Sequence, residues 1–169
     1  MGNSIFEEID KIQYEGPTST SSLAYRHYEA DRMVMGKTMS EHLRIAICYW
    51  HTFCGDGTDM FGVGLYDRPW FAGDDELASA QVKLTNAFAF FERLGTPYFC
   101  FHDRDIAPDG NSFAEFSSNI NAIVEAMGPE MERTGVRLLW GTANLFTDPR
   151  YAAGAATNPD PAVYAYAAA

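Results

Sequence analysis

Tyr98-Phe99-Cys100-Phe101-His102-Asp103-Arg104-Asp105 is the stretch that decides how this chain is read. It begins as an apolar, aromatic-rich run and ends in a histidine and two aspartates. Gly95-Thr96-Pro97 precedes it and Ala107-Pro108-Asp109-Gly110 follows it, and both are breaker clusters. A short apolar run between breakers predicts a buried strand. His102 and Asp105 then fall where the strand runs out. In α/β sheets and barrels that end of the strand is where chemistry is placed.

Histidine as a residue type titrates near neutrality, so it can give or take a proton at physiological pH. A carboxylate accepting from Nδ1–H fixes the ring and leaves Nε2 facing a substrate. Asp103 and Asp105 are both within reach in sequence. Along a strand Asp103 points to the face opposite His102. Asp105 lies past the strand end, where the chain can curl back, and is the preferred partner. The alternative for so short a motif is a strand end with a solvated polar turn.

Working outward, Leu43 to Trp50 is a second strand candidate with Ile45, Ile47 and Tyr49. Both of its faces are apolar, as a covered parallel strand requires. Trp50 stands at its end, and His51, on the opposite face, is read as structural. A glycine-rich loop, Cys54 to Gly64, follows. A helix capped by Asp74 or Asp75 is predicted to run to Leu94, with Leu77, Leu84, Phe88 and Phe91 on one face. Beyond the central strand, Ser112 and Glu115 have capping-box spacing. Phe113, Phe116, Ile120, Ile123 and Met127 continue a helical stripe, which Gly128-Pro129 is expected to kink or split. Gly135 ends that helix. Val136 to Trp140 is a third strand, and Gly141 to Phe146 its C-terminal loop. Asp160-Pro161 starts a last helix.

Strand, helix, strand, helix, strand, helix implies parallel βαβ units. The result is either a small open sheet or the first part of a barrel; a closed eight-stranded barrel takes about 250 residues. Residues 1–42 are expected to form an N-terminal arm, ending in a short helix capped by Thr38 and Glu41. Residues 43–169 form the partial barrel domain, with strands near 43–50, 97–102 and 136–140.

Bulk composition narrows the function classes. Twelve Lys+Arg against 23 Asp+Glu leave a net charge of −11. That disfavours nucleic acid and anionic membranes as partners, but not a neutral sugar or a divalent cation. Solubility alone is an equally good reason for the acidity. Cys48, Cys54 and Cys100 are an odd set without C-x-x-C spacing; the two that lie in apolar runs are read as reduced core thiols, which suggests a reducing compartment. No signal-peptide pattern and no membrane-length apolar run are present, so a cytoplasmic location is expected.

Several further stretches carry a family resemblance. They are Tyr14-Glu15-Gly16, Gly36-Lys37, Glu41-His42-Leu43-Arg44, Cys48-Tyr49-Trp50-His51-Thr52-Phe53, Asp59-Met60-Phe61-Gly62, Cys100-Phe101-His102-Asp103, Leu139-Trp140-Gly141-Thr142-Ala143-Asn144 and Asn158-Pro159-Asp160-Pro161. With them the chain closely resembles the N-terminal portion of the xylose isomerase family, in its longer class II form. The resemblance covers essentially all 169 residues but not a whole enzyme of that family.

It implies a (β/α)8 TIM barrel, of which this chain would supply the first three βα units after the arm. It implies interconversion of D-xylose and D-xylulose, and of glucose and fructose, by ring opening and a metal-assisted hydride shift. It implies two divalent cations (Mg, Mn or Co) and a homotetramer. His102 would open the sugar ring, and Asp105 would orient and stabilise it. Trp50 and Phe146 would line an apolar wall beside the sugar, their alternative being plain core packing. Phe61 would reach into a neighbouring subunit's site. The family's metal ligands and catalytic lysine come from later strands and match nothing here. The chain alone is therefore expected to be inactive as an isomerase. Two other readings are a non-catalytic truncated barrel that binds a sugar or partner, and a related barrel acting on another sugar or sugar phosphate. The loop from Trp140 to Phe146 lacks a phosphate-binding glycine cluster, which weakens the last.

Overall fold

The three breaker-bounded apolar runs become three strands of one parallel sheet. The computed structural model describes residues 4–169. Strands β1 (Gln13–Tyr14) and β2 (Ala24–Tyr25) pair in parallel, and β3 (Met33–Val34) and β4 (Lys37–Thr38) form an antiparallel ribbon. Helix α1 (Met39–His42) follows, closed by the reciprocal Thr38–Glu41 box. The arm lies along a later helix: Ser4 Oγ and the Ile5 N–H both donate to Asn86 Oδ1, and the Tyr25 hydroxyl donates to the Leu94 carbonyl.

The main sheet runs in the order β5 (Ala46–Cys48), β6 (Tyr98–His102), β7 (Arg137–Thr142), all parallel. The long helices α2 (Glu76–Leu94) and α4 (Phe113–Thr134) connect them, with a one-turn α3 (Asp103–Ile106) after β6 and α5 (Pro161–Ala168) at the end. The fold is thus mixed α/β with an open three-stranded sheet. Among the described residues no barrel closes.

The helix boundaries follow their chemistry. Asp75, rather than Asp74, accepts from the Ala78 N–H at the start of α2. Gly95 and Gly135 end α2 and α4 at φ +67° and +73°, a conformation that glycine adopts without steric cost. Ser112 accepts from the Glu115 N–H, but the Glu115 carboxylate turns to the Asn111 N–H instead of completing the box.

Several boundaries differ from the sequence reading. The first strand covers only Ala46–Cys48 rather than Leu43 to Trp50, because Leu43 closes helix α1 and the chain winds into a single π-helical turn over Trp50–Cys54. His51 therefore sits exposed on that turn rather than on a strand face. The third strand starts one residue later and runs to Thr142. Helix α4 passes through Pro129 without splitting. Proline removes the bond to the carbonyl of Glu125, but Glu125, Gly128 and Pro129 are all exposed, so water can serve that carbonyl.

The core lies on one face of the sheet. Phe88 and Phe91 of α2 meet Phe99 of β6 with ring centroids 5.4 Å apart, and Tyr49, Phe53, Phe101, Ile123 and Met127 complete the cluster. The Tyr49 hydroxyl is buried there without a hydrogen-bond partner among the described residues, and burial raises its pKa, so it stays protonated. Phe99 and Phe101 face this core; Cys100 and His102, alternating with them, face away.

Candidate functional site

The strand end after β6 does what the sequence suggested the chain could do. One turn of α3 brings Asp105 back over His102. Asp105 Oδ2 accepts from the His102 N–H at 2.7 Å and lies 3.0 Å from Nδ1 of the same ring. Both contacts converge on one oxygen, so the imidazole is held at Nδ1. Asp105 is 8% exposed and His102 is half-buried.

The adjoining turn braces Asp105 from behind. The Cys54 thiol, at the end of the π-helical turn, donates to the Asp105 carbonyl at 3.4 Å. Lys83 Nζ approaches the same sulfur at 3.6 Å. Burial raises the Cys54 thiol's pKa, Lys83 pulls it back, and Asp105 pushes it up again. It remains a neutral donor.

Three aromatic rings surround the imidazole. The Trp50 centroid lies 4.9 Å from it, Phe146 5.3 Å in an edge arrangement, and Trp140 5.8 Å. Trp50 and Trp140 are 5.4 Å apart. Trp140 was legible only as strand and motif; its place beside His102 depends on a β-bulge. Phe99 pairs with Leu138, but Cys100 pairs with Trp140, so Leu139 is an extra residue. In an unbroken ladder Trp140 would oppose Phe101 and share the core face. The bulge moves it by one residue onto the face of Cys100 and His102.

Phe146 is placed by residues the sequence reading did not single out. The buried Asn144 side chain accepts from the Phe146 N–H, the Thr147 N–H and the Thr147 hydroxyl. The Asn144 N–H in turn donates to Asp103 Oδ1 at 2.8 Å. Asp103, the carboxylate passed over as the histidine's partner, thus ties the β7 loop to the end of β6. Arg104 adds ion pairs to Asp148 at 3.2 Å and Asp109 at 3.1 Å. The sequence signal for this clamp is slight: Asn144 and Asp148, two turn-forming residues after a strand, flank the Leu145-Phe146-Thr147 run.

Phe61 is not brought to this site within the chain. It is 89% exposed, on a loop where Asp59 Oδ1 accepts from the N–H groups of Phe61 and Gly62. Chemically, then, the site offers an oriented imidazole, an ionisable partner and an aromatic wall. Among the described residues no three His, Cys, Asp or Glu side chains converge to hold a metal ion.

Comparison with known proteins decides the family. A xylose isomerase of Mannheimia succiniciproducens is 55% identical over 164 residues, covering 97% of this chain and 38% of that protein. One from Enterobacter sp. strain 638 is 54% identical over 163 residues, covering 96% of the chain and 37% of the relative. One from Paraburkholderia phytofirmans is 55% identical over 165 residues, with 98% and 38% covered. The chain belongs to the xylose isomerase family. It matches that family's N-terminal portion, and it spans about 38% of the length of these curated relatives. No family model matches it. No helix among the described residues is long and apolar enough to cross a membrane.

Proposed function

We propose that this chain carries the ring-opening part of an aldose–ketose isomerase site, acting on D-xylose and, by extension, glucose. The observation that supports it is the His102–Asp105 contact at 3.0 Å, at a strand end walled by Trp50, Trp140 and Phe146. With Asp105 holding Nδ1–H, His102 Nε2 is the free base. It takes the proton of the anomeric hydroxyl, and the imidazolium so formed delivers that proton to the ring oxygen O5 as the C1–O5 bond breaks and the C1 carbonyl forms, which regenerates the free base. Asp105 stabilises the transient imidazolium and keeps the ring oriented. Trp50 and Phe146 exclude water from the sugar carbons.

The rest of the reading follows the family. Residues 1–42 are the arm, and residues 43–169 supply the first three βα units of a TIM barrel. The whole protein would interconvert D-xylose and D-xylulose in the cytoplasm as a homotetramer, with Phe61 of one subunit reaching the site of another. Nucleic acid and membrane are not partners. The family's two divalent cations (Mg, Mn or Co) find no fitting cluster among the described residues, so the chemistry assigned to this chain stops at ring opening.

The test is the anomerisation of α-D-xylopyranose, followed by polarimetry with the chain. Acceleration by the chain, removed by His102→Asn and weakened by Asp105→Asn, is expected; positioned acid–base groups contribute about 10²- to 10⁴-fold. No D-xylulose should form. Equal acceleration by His102→Asn overturns the assignment. Sugar binding without ring opening selects the alternative, a non-catalytic sugar-binding barrel protein.

A further inference from the structure

Cys48 and Cys100 are paired in register across β5 and β6. Residues opposed in a parallel ladder share a face, here the face opposite the aromatic core. The Cys100 sulfur is directed toward β5, 3.8 Å from the Ile47 carbonyl, immediately before Cys48. Both thiols are free. Cys54, the third thiol, is engaged elsewhere, with Asp105 and Lys83.

The spacing selects what such a pair can hold. Neighbouring strands lie about 4.8 Å apart. A disulfide wants its Cβ atoms about 3.8 Å apart, so joining this pair would pull the strands together. A zinc–thiolate bond is about 2.3 Å long, and an ion bonded linearly to two thiolates at about that length sets its sulfurs about 4.6 Å apart. Side chains in register on strands about 4.8 Å apart can reach such an ion without drawing the strands together. Soft thiolates with no third His, Cys, Asp or Glu beside them among the described residues suit a soft, two-coordinate ion rather than magnesium or manganese, which seek oxygen.

We propose that Cys48 and Cys100 form a two-coordinate site for Cu(I). The balance is one Cu(I) and two thiols giving a bis-thiolate complex of charge −1 and two protons, with no change of oxidation state. Half-buried Cys48 provides the solvent-facing side of the site, and the indole-bearing Trp140, registered with Cys100, flanks it. The inference is independent of the ring-opening assignment and of the family's cations.

The experiment is an anaerobic Cu(I) titration of the full 169-residue chain against bicinchoninate, with circular dichroism confirming the fold of each variant. The chain and Cys54→Ser should each retain one Cu(I), with affinity rising with pH because two protons leave. Cys48→Ser and Cys100→Ser should each bind at least about 100-fold more weakly. In guanidinium chloride the difference among the three variants should vanish, because the fold creates the pair. Retention by Cys48→Ser or Cys100→Ser, loss by Cys54→Ser, or a difference that survives denaturation overturns the proposal.

Discussion

A single buried amide, that of Asn144, governs where Phe146 stands relative to His102. Its oxygen accepts from the Phe146 N–H, the Thr147 N–H and the Thr147 hydroxyl. Removing it leaves those donors without a protein acceptor, at a cost of about 1–3 kcal/mol. Asn144→Ala should destabilise the chain by that amount in urea and shift the His102 Hε1 resonance as the Phe146 ring leaves. Asn144→Asp, which keeps an acceptor, should restore most of both; an unmoved resonance in Asn144→Ala would deny the clamp. Asp148 makes a pH-dependent contribution. The Arg150 N–H, and then Arg104, hold its carboxyl below the usual aspartate range. A lowered folded pKa means that the stability it contributes is complete above about pH 4 and is lost as pH falls through the lowered value. Asp148→Asn should flatten the acid limb of the stability profile, and an unchanged limb would contradict this. At this scale the meeting of His102 and Asp105 was legible in the sequence, because three-residue spacing past a strand end limits which groups can meet. The sequence did not yield Asn144 or Asp103, whose contacts span separate loops.

Among the elements, the caps and the periodic apolar faces were legible, since Asp75, Gly95, Ser112, Gly135 and Asp160 act through local backbone chemistry. The π-helical turn and the β-bulge were not, because neither has a residue signature independent of its neighbours. The bulge carries a prediction. Leu139 is the extra residue between the Leu138–Phe99 and Trp140–Cys100 pairs. Deleting it should regularise the ladder while leaving Trp140 beside Trp50, 5.4 Å away now, so their coupled near-ultraviolet dichroism should persist. Were the ladder regular already, the same deletion would turn Trp140 to the other face and abolish the coupling.

Over the whole molecule, the sheet has a buried core on one side only, and its outer strands β5 and β7 have no further partners among the described residues. Leu138, Leu139 and Trp140 of β7 are exposed, as are Met60, Phe61, Val63 and Leu65 of the long loop. Unpaired strand edges and apolar surface of this extent promote association. The purified chain should therefore self-associate in light scattering as its concentration rises; a particle of monomer size at every concentration would contradict this. The alternation of strands and helices was readable in advance, since each run sits between breakers, whereas the extent of exposed surface depends on partners that sequence patterns do not display. The proposed ring opening rests on an imidazole held at Nδ1 by Asp105. Nitrogen-15 NMR of the His102 side chain at neutral to alkaline pH measures it directly. The account predicts the Nδ1–H tautomer in the chain and a shift toward Nε2–H in Asp105→Asn; an Nε2–H tautomer in the unaltered chain would contradict it.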